Sequence, residues 1–310
     1  MKRERISVIF AAVIGVAVQI IGGAVSTGAE DALQPLITTS ELIVGQNRFA
    51  FGLAKQGKLI EHADVLVRLF ELEGTEEHLT AETNAPFRPV ANPVPGKKVH
   101  RHADGSRHVH DGATEVRGVY VAQLAFTRPG NWGVELVARQ PDGLSETARL
   151  TIIVRETPTT PAVGSPAPRS RNLIVSDVKD LRQIDTSERP DPRLHQTRIA
   201  DAIAMGKLQL IVFATPQFCT SRMCGPVVDI VRTLLPTYGK RVVFTHQEIW
   251  QDFATKKVFP TIEEWRLQSE PWIFIVDGQG IVRAKFEGLV AARELETALQ
   301  NVLLPATAQR

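Results

Sequence analysis

The chain has 310 residues, a hydrophobic content of 43% and a formal net charge of only +2. This length predicts more than one domain, the hydrophobic content is sufficient for well-filled cores, and the near-neutral charge gives no indication of a nucleic-acid or acidic partner. Two cysteines, Cys219 and Cys224, are too few for a fold held together by a disulfide framework.

A basic segment precedes a long apolar run near the start of the sequence. Residues 6–25 are apolar except for Ser7 and Gln19, and residues 24–26 (AVS) offer a small-x-small cleavage site. We therefore expect residues 1–29 to be an export signal peptide or, since the run is nearly long enough to span a bilayer, an uncleaved membrane anchor. Either case places the remaining chain outside the cytoplasm, secreted or held at the membrane, where disulfides persist.

Residues 30–155 are predicted to form an all-β domain. In residues 119–126 every even-numbered position is apolar, and RPGN at 128–131 is a turn sequence. Alternation with period two between such turns is typical of an antiparallel sandwich. The segment 128–132 also resembles the corner of immunoglobulin-like modules. The predicted strands are Glu41–Val44, Arg48–Leu53, Val65–Glu71, Val119–Phe126, Gly133–Ala138 and Leu150–Val154.

Four histidines lie within this domain, at His100, His102, His108 and His110. A hairpin with a three-residue loop would pair His102 with Ser106 and would place all four imidazoles on one face. A two- or four-residue loop would place the two pairs on opposite faces. A single face of four imidazoles could bind zinc or copper(II). The alternative is a solvated hairpin whose histidines have no ligand.

The proline-rich residues 156–171 are predicted to be a linker, because such a composition favours extended chain over a core. Residues 172–310 are predicted to form an α/β domain. The order βαβ followed by ββα indicates a mixed sheet with helices on both faces. The predicted strands are Leu208–Phe213, Arg241–Ile249, Trp272–Asp277 and Val282–Phe286, and the predicted helices are Thr197–Met205, Pro226–Leu235 and Ala291–Leu304.

This order, with both cysteines between the first strand and its helix, resembles the thioredoxin fold. Cys224-Gly225-Pro226 is similar to the first three residues of the thioredoxin C-G-P-C site, and Pro271 stands where the family has a cis-proline. The resemblance implies a cis peptide bond at Pro271 and a redox role. The sequence departs from the family at Val227, which occupies the second cysteine position. The resulting C-x4-C, from Cys219 to Cys224, is also similar to the cysteine loops of Sco-type copper proteins and peroxiredoxins but matches neither.

Cys224 is predicted to have the lower pKa of the two thiols, because it precedes a helix N-terminus and Arg222 is close in sequence. Phe218 and Met223 could form an apolar rim for a peptide substrate or could simply pack in the loop. The insertion at 250–268 has aromatic residues that either pack on the sheet or line a groove near the cysteines.

The leading hypothesis is thiol–disulfide exchange by Cys219 and Cys224 with protein thiols or disulfides on the outer face of the membrane. In this hypothesis Pro271 shapes the peptide groove and no cofactor is needed. One alternative is a copper- or zinc-handling protein that uses the cysteines, the four-histidine hairpin or both. Another is a binding module with a structural disulfide. His246 and His195 could approach the cysteines or could be buried histidines with no role in the site.

Overall fold

The computed structural model describes residues 32–90, 98–101, 107–110 and 117–304. These residues form a β-rich fold with more than one hydrophobic core. The predicted signal peptide or anchor, residues 1–29, lies outside the described residues. Among the residues that are described, no helix combines the length and the apolar content needed to cross a bilayer.

The first part of the chain forms two antiparallel sheets that enclose one core. The first sheet has the order β1-β2-β9-β6, with β3 paired to β2, and the second has the order β11-β10-β4-β5. Their inward residues meet in one cluster that includes Phe51, Tyr120 and Trp132. The strands are β1 (Gln34–Ile37), β2 (Gly45–Lys55), β3 (Lys58–Leu59), β4 (Asp64–Glu73), β5 (Glu76–Asn84), β6 (Phe87–Pro89), β9 (Gly118–Phe126), β10 (Gly130–Arg139) and β11 (Ser145–Val154).

Two differences from the prediction concern strands. The predicted strand Glu41–Val44 is not formed, and Ile43 makes only a single parallel bridge to Arg155. The side chain of Glu41 instead accepts hydrogen bonds from the backbone N–H groups of Thr159 and Thr160, at 2.7 and 3.0 Å. Conversely, β5 forms where no strand was predicted. Its side chains are nearly all exposed, so its sequence shows no alternation that would indicate a strand.

The histidine hairpin consists of β7 (Lys98–Arg101) and β8 (Arg107–His110). In the backbone register His100 is opposite His108, as the three-residue loop predicts, and His110 is opposite Lys98. His102 lies outside the described residues. The metal-binding role of this hairpin therefore stays a prediction.

The second part of the chain is built on a mixed sheet with the order β13-β12-β16-β17. β12 is parallel to β13, and the other two pairs are antiparallel. The strands are β12 (Leu208–Phe213), β13 (Val242–Gln247), β16 (Trp272–Val276) and β17 (Val282–Glu287), and a small hairpin joins β14 (Trp250–Asp252) to β15 (Lys257–Val258). The helices are α1 (Ile199–Ala204), α2 (Cys224–Tyr238), α3 (Pro260–Glu264) and α4 (Ala292–Leu303).

Both faces of this sheet are covered. Leu210 and Val212 in β12 join a core with residues of α2 and α4. Ile211 and Phe213, whose side chains point the other way, join a second core with residues of α1 and α3. Because successive side chains of a strand alternate between faces, this continuous apolar run belongs to a strand buried on both sides.

The two parts of the molecule are in direct contact. Arg48 of β2 and Glu294 of α4 form a two-point ion pair, with N···O distances of 2.8 and 3.0 Å. A second guanidinium N–H of Arg48 donates to the carbonyl oxygen of Leu289 at 2.7 Å. Ala50 and Val121 of the first part lie in the same core as α2 and α4.

Residues 156–171, the predicted linker, lie against β17. The N–H of Gly164 donates to the carbonyl of Val282 at 2.8 Å, and the N–H of Val282 donates back to Ser165 at 3.0 Å. Ser170 is fully buried and its hydroxyl accepts a hydrogen bond from the indole of Trp265 at 3.0 Å. Backbone hydrogen bonds and buried side chains thus fix this segment along the sheet edge.

Candidate active site at the cysteine loop

The cysteines lie in the connection between β12 and α2. Two tight turns shape it, with hydrogen bonds from the N–H of Phe218 to the carbonyl of Thr215 and from the N–H of Arg222 to the carbonyl of Cys219. Arg222 has a φ of 59°, so the chain reverses there before the helix begins at Cys224. This curled loop, rather than a continuous helix, brings the two cysteines together.

Cys219 and Cys224 occupy different environments. Cys219 is partly exposed, whereas Cys224 is fully buried in the core beneath α2, and both thiols are free. The backbone N–H of Cys224 donates to the sulfur of Cys219 at 3.4 Å. The Ser221 hydroxyl lies 3.1 Å from the same sulfur. The partly exposed sulfur of Cys219 therefore accepts a hydrogen bond from the N-terminus of α2, and the buried sulfur of Cys224 does not.

The two thiols differ sharply in acidity. Hydrogen bonding from the Cys224 thiol, then from Ser221 and from the backbone N–H groups at the helix start, lowers the pKa of Cys219 to about 6. Burial, together with the neighbouring Cys219 sulfur, raises the pKa of Cys224 well above its ordinary value. The prediction that Cys224 is the acidic thiol is therefore wrong. Cys224 is the first residue of the helix, but its side chain points into the core while its N–H points at Cys219.

A carboxyl group completes this cluster. One carboxylate oxygen of Glu270 and the sulfurs of Cys219 and Cys224 all lie within 4.8 Å of one another. Burial, followed by the negative charges of Cys219 and Glu248, raises the pKa of Glu270 to about 7. The Glu270–Pro271 peptide bond is cis, as the family resemblance implies. Glu270, which precedes this proline and lies beside the thiols, was not predicted from the sequence as a site residue.

A cluster of aromatic side chains includes Phe218, the residue before Cys219. The rings of Phe218 and Phe253 stack with centroids 4.2 Å apart and planes 6° from parallel. Trp250 packs edge-on against Phe253 at 5.6 Å, and the ammonium of Lys256 lies 3.5 Å from the Phe253 centroid. The other aromatic residues of the insertion are buried in the core, as the packing alternative predicts, and a groove beside the cysteines stays a prediction. Those core residues are Phe259 and Trp265.

The two candidate histidines lie in a separate buried cluster with Asp185. His195 Nε2 is 3.1 Å from one carboxylate oxygen of Asp185, and His246 Nδ1 is 3.4 Å from the other. His246 Nε2 is 3.1 Å from the carbonyl oxygen of Ala214, at the end of β12. Neither histidine contributes to the sulfur cluster. Asp185 was missed because it lies in an irregular stretch with no periodicity.

Comparisons with known proteins do not assign a family. No protein-family model matches the chain, and no curated protein matches it. Among solved structures, the sporulation control protein Spo0M from Bacillus subtilis is similar at 10% identity and a TM-score of 0.21, over 41% of this chain and 49% of Spo0M. Murine CRIg matches at 14% identity and a TM-score of 0.22, over 40% of this chain and 98% of CRIg. The soluble domain of PmoD from Methylocystis sp. matches at 11% identity and a TM-score of 0.21, over 42% of this chain and 94% of that domain. Likenesses at these TM-scores carry no argument about fold or activity.

Proposed function

We propose that this protein catalyses thiol–disulfide exchange, with Cys219 as the attacking thiol and Cys224 as the resolving thiol. The observation that carries the proposal is the pairing of two unlike thiols. Cys219 is accessible and has a pKa of about 6, and Cys224 is buried, with its backbone nitrogen 3.4 Å from the Cys219 sulfur. The thiolate is the nucleophile in such exchange, and the best attacking thiols have a pKa close to the ambient pH. A structural disulfide would need neither the acidic thiol nor the carboxyl group beside it.

The first step is attack of the Cys219 thiolate on a partner disulfide. A bond forms between Cys219 and one partner sulfur, the partner S–S bond breaks, and the other partner sulfur leaves as a thiolate that takes a proton from water. In the second step Cys224 transfers its proton to the Glu270 carboxylate and attacks Cys219. The Cys219–Cys224 disulfide forms, the mixed disulfide breaks, and the second partner sulfur leaves as a thiolate that takes a proton from Glu270 or from water. The partner is thereby reduced by two electrons and the cysteine pair is oxidised by two. The same steps in reverse oxidise a dithiol partner.

Glu270 fits the role of proton acceptor. A buried thiol with a raised pKa is a poor nucleophile until a neighbouring base removes its proton. Within the described residues, Glu270 is the carboxyl group that lies within 4.8 Å of both sulfurs. Its pKa of about 7 suits a base that must be ready at neutral pH and must give the proton back in the reverse direction.

The fold supports the same proposal at a coarser level. We take the second part of the chain as a thioredoxin-like domain, because a βαβ unit, a β hairpin and a closing helix surround a cysteine loop beside a cis-proline. We take the first part as an immunoglobulin-like sandwich. With residues 1–29 as signal peptide or anchor, the site would act outside the cytoplasm, where partner disulfides are available.

The reduction potential of the cysteine pair tests this function. Because the chain has two cysteines, alkylation of the full chain after equilibration with glutathione buffers reports on this pair alone. A potential between roughly −120 and −270 mV, the range of working exchange proteins, supports the proposal. A value below about −300 mV is that of a structural disulfide and would favour the binding-module hypothesis.

A further inference from the structure

We infer that Asp185, His195 and His246 form a buried binding site for one divalent metal ion, with zinc as the ion that best matches the donors. The three side chains are at most 1% exposed, and one donor atom from each lies within 4.8 Å of the other two. This site is separate from the cysteines, and the inference does not depend on the proposed exchange activity.

The hydrogen bonding of His246 provides the first argument. Its Nε2 is 3.1 Å from the carbonyl oxygen of Ala214, which can only accept, so Nε2 carries a hydrogen. In a neutral imidazole Nδ1 then holds a lone pair. That lone pair faces a carboxylate oxygen of Asp185 at 3.4 Å, and Nδ1 has no hydrogen-bond partner. Two acceptors in contact within a dry core are unfavourable unless a cation lies between them.

The distances match a metal site. Zinc binds imidazole nitrogen and carboxylate oxygen at about 2.0–2.2 Å, and neighbouring donors of a tetrahedral ion are therefore about 3.3 Å apart. The His195 Nε2 and His246 Nδ1 atoms lie 3.1 and 3.4 Å from the Asp185 carboxylate oxygens. Two of the three donor pairs therefore already have the spacing of zinc ligands, and the two histidine nitrogens lie within 4.8 Å of each other.

The groups behind the donors are those that orient ligands in metal sites. Metal-binding histidines usually donate their second N–H to a carbonyl or carboxylate, and metal-binding carboxylates accept further hydrogen bonds. Here His246 donates to Ala214, and the Asp185 carboxylate accepts from the backbone N–H groups of Ser187 and Asp191 at 2.9 and 3.2 Å. Each candidate ligand except His195 thus has an outer partner in the structure.

The surrounding charge accommodates a cation. Besides Asp185 itself, the fully buried Glu248 faces His246. Arg232 places a positive charge nearby, with its guanidinium 4.0 Å from the Asp185 carboxylate. Its charge is shared with Asp229, at 2.8 Å, and with Asp191, at 3.9 Å. The alternative to a metal ion between His246 Nδ1 and Asp185 is a proton on Nδ1, and the experiment must distinguish the metal ion from the proton.

Metal content and metal-dependent refolding of the full chain test the inference. The protein is unfolded in guanidinium with a chelator and a reductant, freed of metal, and refolded with or without zinc or cobalt(II). We expect one equivalent of zinc per chain, a higher midpoint of thermal unfolding with zinc than without, and a cobalt spectrum of a tetrahedral nitrogen and oxygen site without a thiolate charge-transfer band. Because the donors are buried, zinc should bind readily during refolding and only slowly to the folded metal-free protein.

Matched variants locate the ion. His195→Gln should weaken zinc binding at least about tenfold, whereas His78→Gln removes an exposed histidine and should leave it unchanged. Replacing both cysteines by serine, or His100, His108 and His110 by glutamine, should also leave one equivalent bound. If His195→Gln does not fold, the cobalt spectra of the cysteine and hairpin variants still decide the location. The inference is wrong if refolded wild-type protein takes up no zinc, if ¹⁵N NMR shows His246 doubly protonated in the refolded zinc sample, or if binding is lost with the cysteines or the hairpin histidines.

Discussion

The backbone N–H of Cys224 points at the sulfur of Cys219 from 3.4 Å away. Cys224 is the first residue of α2, so this N–H is one of the donors that a helix leaves without an internal partner. The helix therefore stabilises a negative charge on the neighbouring cysteine while the Cys224 side chain stays in the core. Together with hydrogen bonds from the Cys224 thiol and from Ser221, this contact lowers the pKa of Cys219, and it supports the proposed roles of Cys219 as attacking thiol and Cys224 as resolving thiol.

Replacing either cysteine should abolish turnover in different ways. Cys219→Ser removes the nucleophile, so we expect no reaction with a disulfide substrate and no rapid alkylation by iodoacetamide at pH 7. Cys224→Ser keeps the nucleophile but cannot resolve, so a stable mixed disulfide should accumulate. Mass spectrometry of the intact chain after exposure to a disulfide peptide distinguishes the two variants. A mixed disulfide on Cys224 in the Cys219→Ser variant would reverse the assigned roles.

The alkylation rate of Cys219 should follow its thiolate fraction. Since the pKa of this thiol is about 6, the rate should be low at pH 5, rise through pH 6 and level off above pH 7. The Cys224 thiol is the largest cause of this lowered pKa, so the midpoint of the alkylation profile should change in Cys224→Ser. Cys224→Ala cannot donate a hydrogen bond to the Cys219 sulfur and should therefore shift this midpoint to higher pH. A midpoint near the ordinary value for cysteine in the native protein would contradict the geometry.

Glu270→Gln should slow the resolving step. An amide cannot accept the Cys224 proton, and loss of a general base typically costs about 10²- to 10⁴-fold. In the native protein the resolution rate should rise with pH as Glu270 ionises. Because Cys219 is uncharged in the mixed disulfide, the midpoint should lie below the pKa of about 7 that Glu270 has beside the Cys219 thiolate. Stopped-flow release of a fluorescent thiol from a preformed mixed disulfide measures this step.

The pH profile is the control for this role. Glu270→Gln should lose the inflection of the resolving step, and Glu270→Asp should recover part of the rate with an inflection of its own. The initial attack by Cys219 should change much less than the resolving step. An unaltered inflection in Glu270→Gln would show that another group accepts the proton.

Glu270 should also make stability depend on pH. Its pKa is raised on folding from 4.5 to about 7, so its contribution is most favourable below pH 4.5 and is lost as the pH rises through 7. Glu270→Gln should therefore raise the midpoint of thermal unfolding of the reduced protein at pH 8, with a smaller effect at pH 5. Calorimetry at the two pH values measures the difference. An equal shift at both would rule out ionisation as the cause.

Glu294→Gln should loosen the contact between the two parts of the molecule. It leaves Arg48, only 13% exposed at its side chain, without its charged partner. Hydrogen bonds to charged groups contribute about 1.5–3 kcal/mol, and we expect the free energy of unfolding to fall by about 2 kcal/mol. The matched control is Glu82→Gln, since the Arg68–Glu82 pair is more than 40% exposed on both sides and should contribute less than about 1 kcal/mol. Urea unfolding measures both, and equal losses would refute the argument from burial.

The sequence predicts best where a residue pattern has one physical solution. β12 has its predicted bounds, Leu208–Phe213, because an apolar run of that length fits a strand buried on both faces. The cis bond at Pro271 is what the resemblance to the thioredoxin fold implies, and the structure has it. In contrast, β5 has no buried face and therefore no pattern to recognise.

The chemistry of the candidate site was less accessible from sequence. Helix position suggested that Cys224 is the acidic thiol, but the direction of its side chain, set by packing of α2 on the sheet, decides the opposite. Glu270 and Asp185 each lie beside residues that are distant in the sequence. Such groupings depend on how loops fold over the ends of strands, and no local spacing encodes them.

The packing of residues 156–171 along β17 limits how the protein can be divided. β17 is the outer strand of its sheet. Gly164 and Ser165 form hydrogen bonds with the backbone of Val282, its first residue, and Ala167 donates to Gly280 in the turn before it. A fragment that starts at Asn172 would bare this strand, and open strand edges recruit other chains. Both fragments lack the residues of the first part that share a core with α2 and α4. The fragment that starts at Asn172 should nevertheless self-associate more strongly than one that starts at Glu156, so a fragment of the second part should retain this proline-rich segment.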